Sequence, residues 1–300
     1  MSSAASFDPP SAAQISADIE RAFAEDLGPT EMSSLDTPSV DRGGVDATAT
    51  LLPADASAHA ELTCRESAII AGIPWFEACF RRMDPDVTIE WHTADGQHVA
   101  AGSVICRLSG RARALVSAER TALNFLQLLS ATATQTAAYV KAVTGTKTRL
   151  LDTRKTVPGM RVAQKYAVRC GGGYNQRMGL YDAILVKENH IVAAGGIAAA
   201  VAAGRRLHPT LMLEVEVENL GELAQAIDAG ADRIMLDNFT LALMVEAVSF
   251  TAGRVPLEVS GNVDLKTIRA FAETGVDFIS VGALTKHVRA IDLSLRLRLD

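Results

Sequence analysis

From residue 148 onward the chain repeats one unit, a short apolar run followed by an amphipathic stretch. The runs are TRLL (148–151), AILV (183–186), LMLEVEV (211–217), RIML (233–236), PLEV (256–259) and FISV (278–281). Between them lie helical patterns such as LGELAQAIDAG and VDLKTIRAFAETG. Each closes on a glycine where a helix end needs left-handed backbone. Strand–helix alternation sustained over about 140 residues predicts a parallel sheet whose strands are joined by crossover helices. Barrel and doubly wound sheets both satisfy this periodicity.

The first half reads differently. Ile15, Ile19, Phe23 and Leu27 recur every four residues and predict an amphipathic helix ending near Gly28. Residues 28–48 are rich in Ser, Thr, Asp, Pro and Gly and read as a loop. From Ala60 to Leu108, HAELTCRE, VTIEWHT and SVICRLSG read as strands, with helical IPWFEACFRRM between the first two. ADGQHVAAGSVI (94–105) resembles the hairpin of lipoyl and biotinyl carrier domains. A carrier needs a lysine at the tip, and the first lysine in the chain is Lys141, so a structural hairpin is expected instead. Ser117 to Thr144 reads as a helix, with Leu123, Leu126 and Leu129 at spacing three and Gly145 ending it.

A chain of 300 residues, 48% hydrophobic and 21% charged, can bury a core without disulfides or metals. No apolar run approaches the roughly 20 residues of a membrane span, and residues 1–14 have neither the basic nor the apolar segment of a secretory signal. They read as a disordered leader. Cys64, Cys79, Cys106 and Cys170 are widely spaced, and the six histidines form no pair at helical spacing. Reduced, buried thiols in a cytoplasmic protein are expected, and no zinc site. The net charge of −6 conceals an asymmetry. Residues 1–100 carry 5 Lys and Arg against 17 Asp and Glu, whereas residues 101–190 carry 14 against 4. A basic middle in an acidic chain points to an anionic ligand handled at one place. The basic residues are spread through an apolar periodic pattern without aromatic stacking motifs, which argues against nucleic acid.

Polar groups recur where the apolar runs end. TRLL leads into Asp152, Thr153, Arg154 and Lys155, and AILV into Lys187, Glu188 and Asn189. LMLEVEV contains Glu214 and Glu216 and runs into Glu218, RIML into Asp237 and Asn238, PLEV into Ser260, Gly261 and Asn262, and FISV into Gly282. Six such ends place polar groups at the carboxyl edge of a parallel sheet, where barrel enzymes hold their active sites. SGN and VGA are small-residue turns expected before helix N-termini, where exposed N–H groups suit a phosphate. Glu216 and Asp237, at neighbouring ends, are suited to ribose hydroxyls, to water-mediated Mg²⁺ or to acid–base work. Glu214, Glu216 and Glu218 share strand parity, so sequence does not say which faces inward.

ERTALNFLQ (119–127), LLDTRKTVPGMR (150–161), KYAVRCGGGYNQRMGLYDAILVKENHI (165–191), EVEVENL (214–220), ADRIMLDNF (231–239), LEVSGN (257–262) and GVDFISVGALTKH (275–287) together resemble the quinolinate phosphoribosyltransferases. EDLG and DATATLLP match as well, with a small insertion around residues 30–42. The resemblance implies an N-terminal α/β sandwich domain over 15–128, joined by 288–300, and an open, incomplete TIM-like α/β barrel over 129–287. It also implies a homodimer with shared active sites. By position, Arg154, Lys155, Arg177 and Lys187 would form a cationic floor for quinolinate, with Thr153 and Gln176 beside it. Arg120 would enter from the other subunit. Glu216 and Asp237 would handle ribose and Mg²⁺, with Ser260, Gly261 and Asn262 and Val281, Gly282 and Ala283 holding the 5′-phosphate. Lys155, Lys187, Glu216 and Asp237 are the expected catalytic set. Arginine matches planar carboxylates with paired hydrogen bonds, and lysine gives phosphate a point charge.

Many relatives read Asn-His-Arg where this chain has Asn175, Gln176 and Arg177. Glutamine donates a hydrogen bond but carries no charge, so the residue is expected to be a polar contact only. The implied reaction converts quinolinate and phosphoribosyl pyrophosphate to nicotinate mononucleotide, pyrophosphate and carbon dioxide. The competing readings are a paralogous phosphoribosyltransferase for nicotinate or another pyridine, a Schiff-base aldolase with Lys187 as its amine, and a non-enzymatic regulator.

Overall fold

The structure is a computed structural model that describes residues 8–28 and 46–299. The insertion near 30–42 and the first half of the expected leader, residues 1–7, lie outside these residues. The chain divides into two compact units. Residues to Thr134, Val162–Gly171 and Val288 onward form the first, and Gln135–Arg161 with Gly172–His287 form the second.

Elements are numbered along the chain. The first unit contains α1 (Ala12–Leu27), β1 (Ser57–Cys64), β2 (Ala68–Ile69), α2 (Ile73–Met83), β3 (Thr88–Trp91), β4 (His98–Val99) and β5 (Ser103–Arg111). It also holds the greater part of α3 (Ala112–Ala142) and of α4 (Arg161–Cys170), and β12 (Leu293–Leu299). The main sheet is antiparallel in the order β12-β1-β5-β3. β1 alternates exposed and buried residues, the period-two signature of a sheet with one face packed. Trp75, Phe76 and Phe80 of α2 are completely buried, each contributing about 1.5–3 kcal/mol of apolar burial.

Three expectations need correction here. α1 begins at Ala12, inside the expected leader, because the Ser11 hydroxyl accepts from the Gln14 N–H and caps the helix. The segment 94–105 turns at Gly102 (φ 82°) but is not a hairpin, since β4 pairs with β2 and β5 with β1. α3 begins at Ala112, and the change of unit falls inside it, between Thr134 and Gln135. No glycine or proline interrupts α3, so the sequence carries no mark at that boundary. α4, by contrast, lies within the barrel-like stretch of sequence yet belongs largely to the first unit. There Tyr166 packs against Trp75 with ring centroids 5.6 Å apart and donates to Asp95 at 2.7 Å.

The second unit is a six-stranded, all-parallel sheet in the order β6-β11-β10-β9-β8-β7. β6 is Arg149–Leu151, β7 Ala183–Val186, β8 Met212–Val217, β9 Arg233–Asp237, β10 Leu257–Ser260 and β11 Phe278–Ser280. All six apolar runs are strands. The connecting helices are α5 (Glu188–Ala194), α6 (Ile197–Leu207), α7 (Leu220–Asp228), α8 (Leu241–Thr251), α9 (Ile268–Glu273) and α10 (Ala283–Lys286). β6 and β7 stay at opposite edges, with one isolated bridge, Leu151 to Tyr174, beside β6. The sheet is therefore open, as the resemblance implied. Its interior strands are largely buried on both faces, one face apolar through Leu213, Val215, Ile234, Leu236, Leu257 and Val259, the other carrying polar residues such as Glu214 and Glu258.

Candidate active site

Parallel strands bring all their carboxyl ends to one edge of a sheet, and here those ends converge. Lys187 follows β7, Glu216 is on β8, and Asp237, Ser260 and Ser280 end β9, β10 and β11. They line a cavity of about 460 Å³ together with Thr153, Arg154 and Lys155 after β6, and Gln176 and Arg177 before β7. The parity question resolves: Glu216 lines the cavity, Glu214 is completely buried and Glu218 is exposed. A second cavity of about 650 Å³ takes Ser260, Gly261 and Asn262 on one side and Val281, Gly282 and Ala283 on the other. Thr153, Lys155, Ser260, Gly261 and Ser280 line both cavities, so the two adjoin.

The backbone at these ends is specialised. Gly261 has φ 99° and Asn262 φ 50°, and a Cβ on Gly261 would lie 2.9 Å from the Asn238 Oδ1. Gly282 has ordinary backbone, but a Cβ there would meet the Lys155 Cδ at 2.9 Å. The missing side chain is what lets Lys155 cross over the turn. Lys155 is held further by its N–H donating to the Thr153 hydroxyl (3.0 Å) and its carbonyl accepting from the Thr285 hydroxyl (2.8 Å). The helix expected directly after SGN does not start there. Asp264 and Thr267 form a capped turn first, and α9 begins only at Ile268. VGA does lead straight into α10, a helix of one turn.

Charge is arranged asymmetrically. Burial depresses the Arg177 pKa, and the neighbouring Arg154 guanidinium depresses it further. Arg154 Nε is buried without a hydrogen-bond partner among the described residues. Neither arginine forms an ion pair there. Two desolvated guanidiniums side by side make a site whose complement is an anion with more than one negative group. Across the cavity, Lys187 pairs with Glu216. Burial, and then the Glu216 carboxylate, raise the Asp237 pKa, against the lowering pull of Lys187 and Lys155. Among the described residues no group of three or more His, Cys, Asp or Glu is placed to hold a metal ion.

The polypeptide matches the quinolinate phosphoribosyl transferase C-terminal domain over residues 132–296 and its N-terminal domain over 46–130. The chain belongs to the quinolinate phosphoribosyltransferase family. It is 40% identical over 261 residues to the probable nicotinate-nucleotide pyrophosphorylase (carboxylating) of Bacillus subtilis, covering 87% of this chain and 90% of that one. The chloroplastic nicotinate-nucleotide pyrophosphorylase (carboxylating) of Oryza sativa is 39% identical over 276 residues, covering 86% of this chain and 74% of that one. The structure of the nicotinate-nucleotide pyrophosphorylase from Francisella tularensis superposes with TM-score 0.87 at 45% identity, covering 97% of this chain and 99% of that one.

Every residue that the family resemblance singled out lines one of the two cavities except Arg120, which is exposed on α3 in the first unit. Sequence reasoning missed Leu185, Met235, Glu258 and Ser280 in the first cavity, and Gln135, Tyr139, Val263, Asp264, Lys286 and His287 in the second. Three of these carried a signal. Leu185, Met235 and Glu258 lie two residues before Lys187, Asp237 and Ser260, and the pleat puts such residues on the same face. The four cysteines are all free and buried, and no described helix is long and apolar enough to cross a membrane.

Proposed function

We propose that this cavity transfers a phosphoribosyl group to quinolinate with decarboxylation, the reaction of its family in NAD biosynthesis. The arginine pair carries the reading. Arg154 and Arg177, half-buried and without carboxylate partners among the described residues, suit the two carboxylates of the pyridine acid. A monoanionic nicotinate would leave one guanidinium desolvated and uncompensated, at a cost of about 3–5 kcal/mol on the scale of breaking a buried pair. The Schiff-base reading fares worse. Lys187 is engaged by Glu216, whereas an imine-forming lysine needs a free amine.

In this mechanism the pyridine nitrogen attacks C1 of the ribose as the bond to pyrophosphate breaks. The carbon–carbon bond to the carboxylate beside the ring nitrogen then breaks. Carbon dioxide leaves, the electron pair stays on the ring carbon, and a proton replaces it. Lys155 and Lys187 supply positive charge to the departing pyrophosphate and to the acid, while Glu216 and Asp237 hold the ribose hydroxyls. The segments 260–262 and 281–283 receive the 5′-phosphate. Mg²⁺ would be held by Glu216 and Asp237 through water. Two carboxylates without a third ligand suit an ion that arrives with the diphosphate and keeps its waters. It would neutralise charge on the leaving group. Placement and electrostatic stabilisation do the work, with no covalent nucleophile. Arg120 of the partner subunit completes each site of a homodimer, and four buried free thiols suit a reducing, cytoplasmic setting.

The test is release of labelled carbon dioxide from carboxyl-labelled quinolinate. Release that depends on both phosphoribosyl pyrophosphate and Mg²⁺ is expected. Turnover of nicotinate with no release from quinolinate would overturn the assignment.

A further inference from the structure

Arg154 and Arg177 stand on different segments of the chain, the exit of β6 and the loop before β7. Their charges repel, and the Arg154 guanidinium helps to depress the Arg177 pKa. The backbones that carry them therefore have to set their separation. Those backbones are cross-linked on both sides of the pair. On one side the buried Asp152 carboxylate accepts from Asn175 Nδ2 at 2.6 Å and from the Gln176 N–H at 2.9 Å. Beside it the Tyr174 N–H donates to the Leu150 carbonyl (2.8 Å) and the Asp152 N–H to the Tyr174 carbonyl (3.1 Å). On the other side stands Arg161, which lines neither cavity. Its Nη1 donates to the Met178 carbonyl at 3.2 Å, its Nε to the Thr156 hydroxyl at 3.2 Å and its Nη2 to the Arg154 carbonyl at 3.4 Å. All three acceptors are neutral. One planar fork thus joins residues 154 and 156 to residue 178, which suits a guanidinium with five N–H donors in fixed directions better than the point charge of a lysine.

We propose that Arg161 is a positioning residue for the acid-binding end of the site: outside the cavity itself, it ties the Arg154 segment to the Arg177 segment and so fixes the separation of the two guanidiniums. The inference rests on the reading of this cavity as the quinolinate site. Two carboxylates on neighbouring ring carbons have a fixed spacing, and a pair of cations already held at the matching spacing binds them without ordering cost. A pair free to spread would have to be drawn together against its own repulsion. A monocarboxylate meets one guanidinium and is indifferent to where the other stands. Phosphoribosyl pyrophosphate depends instead on Lys155, which Thr153 and Thr285 hold separately. Arg161 therefore acts on one substrate and spares the other.

The experiment compares Arg161→Lys and Arg161→Met with the wild type in the intact enzyme, with thermal melts to confirm folding. It reads KM for quinolinate, KM for phosphoribosyl pyrophosphate and the inhibition constant of nicotinate competing with quinolinate. Arg161→Lys keeps the charge but loses the fork, and Arg161→Met loses both. Each is expected to raise KM for quinolinate about tenfold, within the range that a misplacement of about 1 Å can cost. The other two constants should change less than about threefold, the size of one neutral hydrogen bond. Thr156→Val removes one acceptor of the fork and should raise KM for quinolinate roughly threefold. It supplies the deciding measurement if neither Arg161 variant folds. A KM for quinolinate within about twofold of the wild type in folded Arg161→Lys would show that charge alone matters, and would overturn the proposal. So would an equal rise in all three constants, or an unchanged KM in Thr156→Val where that variant decides. Failure of the wild type to turn over quinolinate would instead strike the functional reading itself.

Discussion

Arg154→Ala separates function from stability, because the two effects have opposite signs. The guanidinium contributes nothing visible to the fold. Its Nε has no partner among the described residues, and its charge acts against the neighbouring Arg177. Removing it relieves one like-charge contact and leaves no orphaned carboxylate, so the melting temperature should stay level or rise slightly. Binding should suffer heavily, since one carboxylate of the dianion loses its desolvated partner. Truncating one member of such a pair costs about 2–5 kcal/mol, which is roughly thirtyfold to a few thousandfold in Kd. Isothermal titration with quinolinate reads the affinity. Thermal melts with and without ligand read the linkage, and the ligand-induced rise in Tm should vanish at concentrations that saturate the wild type. A folded variant with unchanged affinity would place the carboxylates elsewhere. A large fall in the melting temperature without ligand would show that the arginine is structural.

Gly282→Ala meets Lys155 at 2.9 Å without backbone strain; kcat/KM should fall at least tenfold, about 1.4 kcal/mol, with little change in a thermal melt, and unchanged kinetics would remove Lys155 from the reaction. Glu216→Gln and Asp237→Asn should lower kcat far more than they weaken quinolinate binding, because in the proposed mechanism these acids hold ribose and metal; steady-state kinetics showing the reverse would contradict the assignment. Arg120→Ala and Lys187→Ala should each be nearly inactive alone, yet recover about a quarter of wild-type activity when mixed, since half the dimers then carry one intact site. Tagged chains that exchange without any recovery would rule out a shared site.

The separate strands and the polar carboxyl edge of the sheet were legible in the chain because both follow from local rules. Apolar runs of strand length, glycine at helix ends and polar residues just beyond each run need only one segment at a time, and all six runs proved to be strands. The charged basic middle likewise announced an anion, and Arg154, Lys155, Arg177 and Lys187 lie together in the cavity. Where the prediction depended on a partner it failed. The segment 94–105 has the turn of a hairpin, but its two arms pair with different strands. α4 stands between two barrel strands in sequence, yet the Trp75 ring and Asp95 draw it into the first unit. The same limit applied to Glu214, Glu216 and Glu218. Their common parity is a property of the strand, whereas their depth depends on the register of β8 against β9 and on where the helices cover the sheet. Only the packed sheet decided that one glutamate meets solvent, one meets the cavity and one lies beneath it with Glu258. Local periodicity can assign a side chain to a face, but its height along the barrel axis is set by hydrogen bonds to strands that the segment does not contain.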